Sequence, residues 1–378
     1  MKITRIETIM AGTMFIRIHT DNGITGLGMA ERRFAKAVEA MVKEHEAYLI
    51  GKDPLEIERH WQHIYRYLFF RGGPVMMNAL SAIDIALWDI AGKHYGVPVH
   101  RLLGGPVREK VRVYAHLVEQ LPELVEHAVD AVNQGITAVR WAPFEPHFEK
   151  MRYPRVMQNA VEQVRAVREA VGDDVDICLD FHGRLDPYEA VTMMSEVEKY
   201  RPFFVEDPIL PENIDEMADV AAHTKVPIAT GERLYTIYEF MQLLSRKAVH
   251  MVRPDILLAG GLTGLKKIAA MAEACYVGVV PHLNPITSVH LDAAIYNFTL
   301  QEGVIPQIIG TEEGMPLLTG VPEMDGGYIL VPDRPGLGIE LNDEAVKEYP
   351  NLKRPKPRFP YRHPPPPLFH EDGSFAEW

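Results

Sequence analysis

Three acidic residues recur at one spacing. Asp180 closes the apolar run Ile177-Cys178-Leu179, Glu206 closes Phe203-Phe204-Val205, and Glu232 follows Ala229-Thr230-Gly231, so successive acids stand 26 residues apart. A step of that length accommodates one strand and one helix, and in a barrel of such units it brings equivalent strand ends to one height around the mouth. Carboxylates converging there repel and raise one another's pKa unless a cation joins them. A hard divalent ion with a preference for oxygen ligands answers that charge, Mg²⁺ being the commonest. Taken singly, each acid would read as a helix N-cap or a surface residue. The matched spacing is what selects Asp180, Glu206 and Glu232 as a metal set.

Two histidines stand where acid and base would be needed. His182 lies two residues past Asp180, on the same side of an extended strand end. His282 follows Val277–Val280 and Pro281, while Asp255 ends Val252-Arg253-Pro254-Asp255 in the preceding unit. A carboxylate beside an imidazole nitrogen raises its basicity and fixes its tautomer, so Asp255 and His282 form a candidate general-base pair. The chain holds 16 histidines, so a lone one carries little, and position beside the metal strands singles these two out. Glu302, in Leu300-Gln301-Glu302-Gly303, is a candidate hydrogen-bonding partner for a substrate carboxylate in an eighth unit. Arg140 could bind that carboxylate or stabilise an enolate; the plainer alternative is a salt bridge in the barrel mouth. Gly260-Gly261-Leu262-Thr263-Gly264 reads better as a tight turn capped by Thr263 than as a phosphate cradle.

The elements that must position these groups follow from periodicity. Short β-rich runs occur at Val111–Leu117, Ile136–Trp141, Val175–Asp180, Phe203–Glu206, Val226–Thr230, His250–Arg253 and Val277–Val280, each separated by room for one helix. This alternation predicts a parallel sheet, and the absence of a glycine-rich dinucleotide turn favours a closed (β/α) barrel over an open sheet. Before it, Asp21-Asn22-Gly23 predicts a hairpin turn, Asp53-Pro54 a helix start, and Leu80, Ile83, Leu87, Ile90 and Ala91 a helical apolar stripe. Leu102-Leu103-Gly104-Gly105-Pro106 punctuates the chain and suggests a boundary. The expected division is residues 1–105, an α+β unit; 106–332, the barrel; and 333–378, a proline-rich, basic segment with Pro364–Pro367 that wraps back over the first unit.

The chain has 378 residues, 47% hydrophobic and 24% charged, enough to bury a full core. A net charge of −13 repels phosphate backbones and anionic lipid, so neither nucleic acid nor a membrane is expected as a partner. Two cysteines, Cys178 and Cys275, make no disulfide framework, and the N-terminus lacks a signal-peptide core, so the cytoplasm is the expected compartment.

Together, Asp180-Phe181-His182-Gly183-Arg184, Val205-Glu206-Asp207-Pro208, Gly231-Glu232-Arg233, the Asp255/His282 pair and Glu302 resemble the enolase superfamily, mandelate racemase subgroup. The resemblance extends to Ala82–Asp89 and Leu102–Gly105 in the first unit, and to His370–Ser374 and Glu377-Trp378, similar to the tail of the acid-sugar dehydratases. It implies an α/β fold: a modified TIM barrel, (β/α)₇β, with an α+β capping domain formed by the N-terminal region and the C-terminal tail. It implies one Mg²⁺ on Asp180, Glu206 and Glu232, with proton abstraction α to a carboxylate by His282 with Asp255, protonation of a departing 3-hydroxyl by His182, and substrate binding by Glu302, Arg140 and Arg184. The implied activity is that of a lyase converting an aldonate of galactonate or gluconate type to a 2-keto-3-deoxy acid, in a homo-oligomer whose specificity loops lie around Met14 and Phe15 and near Tyr65 to Gly73. Racemases of the subgroup carry Lys-x-Lys where this chain has Arg140-Trp141-Ala142, and arginine does not serve as a neutral-pH base. Mannonate-type members pair an arginine there with a tyrosine, so Arg140 with Tyr153 is the alternative dehydratase mode. A sugar-acid epimerase and a non-catalytic sugar-acid binding protein are the remaining alternatives.

Overall fold

Alternating apolar residues at the start of the chain build an antiparallel meander, β1 (Ile3–Ala11), β2 (Thr13–Thr20) and β3 (Thr25–Ala30). Gly23, at φ +83°, makes the β2–β3 turn that Asp21-Asn22-Gly23 predicts. The computed structural model describes residues 1–117, 120–303, 316–348 and 368–376. Four helices follow the meander: α1 (Ala35–Leu49), α2 (Ile57–Tyr67), α3 (Pro74–Tyr95) and the short α4 (Val99–Leu102). Asp53 lies ahead of α2 rather than at its first turn, because its carboxylate and carbonyl accept from the backbone N–H groups of Leu55 and Glu56 and close a separate turn. The stripe from Leu80 to Ala91 is buried as its spacing predicts, and α3 is buried on its other faces too. The glycines at 26 and 28 let β3 lie directly on α3, since a Cβ at either would strike the carbonyl oxygen of Ala86 or Ala82. By length and composition α3 alone among the described helices could cross a membrane, yet 89% of its apolar window is buried within the fold.

The barrel alternates strand and helix without interruption: β4 (Lys110–His116), α5 (Glu123–Asn133), β5 (Ala138–Trp141), α6 (Tyr153–Val171), β6 (Asp176–Asp180), α7 (Pro187–Val197), β7 (Phe204–Glu206) and α8 (Ile214–Ala222). It continues through β8 (Ile228–Thr230), α9 (Ile237–Ser245), β9 (Met251–Val252), α10 (Gly261–Ala274), β10 (Gly278–Val279), α11 (Pro285–Asp292) and β11 (Gln301–Glu302). Neighbours from β4 to β10 pair in parallel, and β11 pairs with β4. The ring closes where Val279 bridges Phe298: Val279 N–H donates to Asn297 O and Thr299 N–H to Val279 O, both at 2.9 Å. Alternate side chains point inward, so Tyr114, Ala138, Cys178, Phe204, Ala229, Met251, Val280 and Leu300 fill the lumen. Their neighbours Val139, Ile177, Val205 and Ile228 face the helices. Each fully buried valine or isoleucine contributes about 1.5–3 kcal/mol.

Beyond the barrel, β12 (Leu318–Thr319) pairs with β15 (Glu340–Leu341), and β13 (Met324–Asp325) with β14 (Tyr328–Leu330), which also lies along β4. Residues 333–348 reach the first unit: Leu337 N–H donates to Asp89 at 2.8 Å, and Lys93 and Arg17 pair with Glu340 and Asp343 at 2.7 and 2.6 Å. The hairpin β16 (Leu368–Phe369) and β17 (Phe375–Ala376) meets the loop after β5, where His370 Nδ1 lies 2.9 Å from Glu149 O. The four prolines, most of the basic run, and Glu377-Trp378 fall outside the described residues.

Candidate active site

Parallel register sets the acids in place. Asp180 at the end of β6 stands opposite Glu206 at the end of β7, and both side chains are fully buried. Glu232 follows β8 after Gly231, and its side chain is 17% exposed. Buried carboxylates demand cations. Arg140, closing β5, sits between Asp180 and Glu206: Nη2 pairs with Asp180 Oδ2 and lies 3.1 Å from Glu206 Oε2. Arg253 holds the other Glu206 oxygen at 2.6 Å and Glu302 at 3.0 Å. Glu232 turns instead to His282, 3.0 Å away. Asp180 and Glu206 are thus brought together around Arg140 while Glu232 stands apart, and among the described residues no three His, Cys, Asp or Glu side chains are grouped in this conformation as metal ligands. The salt-bridge alternative for Arg140 is therefore realised in this conformation.

The histidines arrive by different routes. Asp255 and His282 stand beyond neighbouring strands β9 and β10, their backbones bridge, and His282 Nδ1 lies 2.7 Å from Asp255 Oδ2. The other Asp255 oxygen accepts Leu257 N–H at 2.7 Å, which fixes the carboxylate plane. Burial pushes the His282 pKa down, but Glu232, Asp255 and Glu302 outweigh it and carry it up to about 10. His182 is not on an extended strand: its φ is +52°, and the resulting turn folds its ring back so that Nε2 lies 2.8 Å from Asp180 Oδ2. A non-glycine residue in that region is strained, a feature that clusters at functional sites. Burial, then the charges of Arg140 and Arg184, hold the His182 pKa well below its ordinary value.

Glu302 ends β11, and its carboxylate also accepts Leu283 N–H at 3.2 Å. Burial would raise its pKa, but His282, Arg253 and Arg140 bring it below the ordinary carboxylate value. The Arg184 guanidinium lies over Phe144 and Phe148, 5.5 and 5.3 Å from the ring centroids, and burial with the charge of Arg140 lowers its pKa to about 10. Tyr153 begins α6 beside Tyr188, and its buried hydroxyl has no hydrogen-bond partner among the described residues, so it makes none to Arg140.

A cavity of about 240 Å³ opens on Glu232, Arg233 and His282. Glu31, Arg33, Phe34, Pro74 and Asn78 of the first unit line its other side. Phe34, at φ +61°, is bent into the left-handed region at the start of α1. Met14 and Phe15 do not line this cavity, because both are fully buried within β2; the segment after β3 takes the place expected for them.

Comparison with known proteins follows the same division of the chain. Residues 2–104 match the mandelate racemase / muconate lactonizing enzyme N-terminal domain, and residues 123–345 match the enolase C-terminal domain-like model. The chain belongs to the mandelate racemase / muconate lactonizing enzyme family of the enolase superfamily. It is 41% identical over 404 aligned positions to the D-galactonate dehydratase of Ralstonia pickettii (strain 12J), with both chains fully covered. A solved enolase from Agrobacterium radiobacter, with bound Na and L-malate, superposes with a TM-score of 0.88 at 31% identity and full coverage of both chains. A mandelate racemase / muconate lactonizing enzyme from Jannaschia sp. CCS1 gives a TM-score of 0.83 at 30% identity, covering 92% of this chain and 97% of that one. The fold is accordingly the family's capping domain over a TIM barrel.

Membership of this superfamily is consistent with a divalent metal. The donors here fit one by chemistry: three carboxylates from successive units, two of them buried side by side and met in this conformation by the Arg140 and Arg253 guanidiniums. The family's mouth also contains groups that periodicity passed over. His116 at the end of β4 lies 2.8 Å from Arg140 Nη1, and Asp207 accepts from Thr230 and Arg233. Burial and the charge of Glu232 push Asp207 up to about 6. Arg253 carried a readable signal, a charged residue inside an apolar run next to the Asp255 motif.

Proposed function

We propose that this enzyme is a hydro-lyase that dehydrates a sugar acid of galactonate or gluconate type to a 2-keto-3-deoxy acid. The observation that carries this reading is the Asp255–His282 contact at 2.7 Å, set across the mouth from His182 and the two buried acids. Full-length similarity to D-galactonate dehydratase supports it. Asp180, Glu206 and Glu232 would hold one Mg²⁺, which supplies positive charge against the anion formed at the substrate carboxylate. His282 takes the α-proton at Nε2 from its neutral form, which a cation on Glu232 would favour by removing the carboxylate charge that now holds the imidazolium, while Asp255 accepts the Nδ1–H hydrogen bond and favours the imidazolium that results. His182, neutral in this conformation, would act as the imidazolium once the substrate anion sets negative charge beside it, and would deliver a proton from Nε2 to the 3-hydroxyl, which leaves as water before the enol product tautomerises to the keto acid. Arg140, Arg184 and Glu302 bind the substrate, the two arginines through its carboxylate and hydroxyl oxygens.

The Arg140/Tyr153 mode has less support, because the Tyr153 ring faces Tyr188 and its hydroxyl does not reach Arg140. Epimerisation lacks a second base where Arg140 stands. We place the protein in the cytoplasm as a homo-oligomer acting on a small anionic substrate, and divide it into residues 1–105, 106–332 and 333–378. A library of C5 and C6 aldonates, assayed with Mg²⁺ for keto-acid product, tests the activity. Keto-acid release from galactonate or gluconate is the expected result, and no product from any aldonate would overturn it.

A further inference from the structure

The helix α10 starts only a few residues beyond Asp255, and the capping domain holds that start through four hydrogen bonds. Gly260, the residue before the helix, has its N–H bonded to Ser81 Oγ at 2.9 Å and its carbonyl to Trp61 Nε1 at 2.8 Å. One turn on, Thr263 N–H donates to Asp84 Oδ2 at 3.0 Å, and its hydroxyl accepts from Trp88 Nε1 at 2.9 Å. Thr263 is therefore not the cap that its sequence suggests; the cap is a fully buried carboxylate supplied from α3 in the other domain. A hydrogen-bond acceptor suits that place, because the first-turn N–H groups of a helix have no partner within the helix. The contact also needs glycine at 261, since a Cβ there would collide with the Asp84 carboxylate.

The turn between this anchor and the active site is short and internally bonded. Asp255 O accepts Leu258 and Ala259 N–H at 3.0 and 2.8 Å, and Asp255 Oδ1 accepts Leu257 N–H at 2.7 Å. Its remaining oxygen meets His282. A shift of Gly260 is thus carried through one closed turn to the carboxylate that orients the base.

We propose that Asp84 is a positioning residue, which by capping α10 from the other domain fixes the Asp255 carboxylate and through it the His282 imidazole. The inference rests on the reading of His282 as the base. It predicts that the capping domain contributes to turnover through its docking on α10 as well as through residues that face the substrate.

The test compares Asp84→Asn, Thr263→Val and Thr263→Ser in the full-length enzyme. Asp84→Asn is expected to lower kcat about tenfold to a hundredfold, the scale on which outer partners tune an active-site imidazole, with KM within about twofold. Thr263→Val should lower kcat less, and Thr263→Ser, which keeps the hydroxyl, should restore it. In substrate-free protein the downfield proton resonance of His282 Nδ1–H, assigned by its loss in His282→Asn, should move in Asp84→Asn. Unchanged kcat and an unmoved resonance in a folded Asp84→Asn protein would overturn the proposal, as would a lowered melting temperature with kcat intact. If the wild-type enzyme turned over no aldonate, the functional reading would fail, while the resonance would still decide the role of Asp84.

Discussion

Asp255 and His282 are joined twice, by a backbone bridge between the segments that follow β9 and β10 and by a 2.7 Å contact between Oδ2 and Nδ1. The double connection leaves the imidazole one orientation, with Nε2 toward Glu232 and the mouth. Removing either member should therefore damage the same step. His282→Asn is expected to cost about 10²- to 10⁴-fold in kcat, the usual range for a general base, and to abolish α-proton exchange in D₂O. Retention of that exchange, followed by NMR, would exclude His282 as the base.

His182 should behave differently. With the base intact, His182→Asn is expected to stop dehydration while exchange of the α-proton continues, because only departure of the hydroxyl needs its proton. Mg²⁺ binding, measured by calorimetry, should survive, since the ring contributes no carboxylate to the set around Asp180.

Chelation separates the metal set from its surroundings. EDTA treatment is expected to abolish turnover and added Mg²⁺ to restore it, and Glu232→Gln should raise the Mg²⁺ dissociation constant at least about tenfold by removing one of three anionic donors. Unaltered Mg²⁺ affinity in that variant would remove Glu232 from the set.

Arg253 has no exposed surface and neutralises both Glu206 and Glu302. Arg253→Met would leave two buried carboxylates short of a partner, a loss of about 3–5 kcal/mol in unfolding free energy. Urea denaturation would register this, and a change under about 1 kcal/mol would show that other cations take over.

Asp84 makes stability depend on pH. Burial raises its pKa from 3.8 to about 7, against the Thr263 hydrogen bonds and Lys267, with Glu58 adding slightly. Because the folded protein holds this proton more tightly than the unfolded chain, the group's contribution is complete below about pH 3.8 and is lost as pH rises to about 7. Over that window the loss is about 4 kcal/mol, since holding one proton costs or gains about 1.4 kcal/mol for every tenfold change in its affinity. Asp84→Asn should flatten the profile and leave the protein no less stable at pH 8, which thermal melts from pH 4 to 8 would reveal.

The local chemistry was legible in sequence wherever one residue's role follows from its place along a strand. Even spacing marked Asp180, Glu206 and Glu232 as strand-end groups, and alternation of strands and helices predicted the barrel that family membership and the closed ring bear out. The apolar period of α3 showed one buried face. It did not show the other, because a stripe records only the first surface that a helix covers, and α3 is also packed against α10.

What tertiary structure alone decided are the contacts between groups distant in the chain. No periodicity places Arg140 between Asp180 and Glu206, turns Glu232 to His282, or bends His182 back through a positive φ. The segment from Glu31 to Phe34 faces the mouth where Met14 and Phe15 were expected, because strand β2 is covered on both sides. Thr263 looked like its own cap until Asp84 was brought to it from 179 residues away. Sequence determines which side chains are available and at what local pitch; burial in a shared low-dielectric interior decides which charge each one must meet.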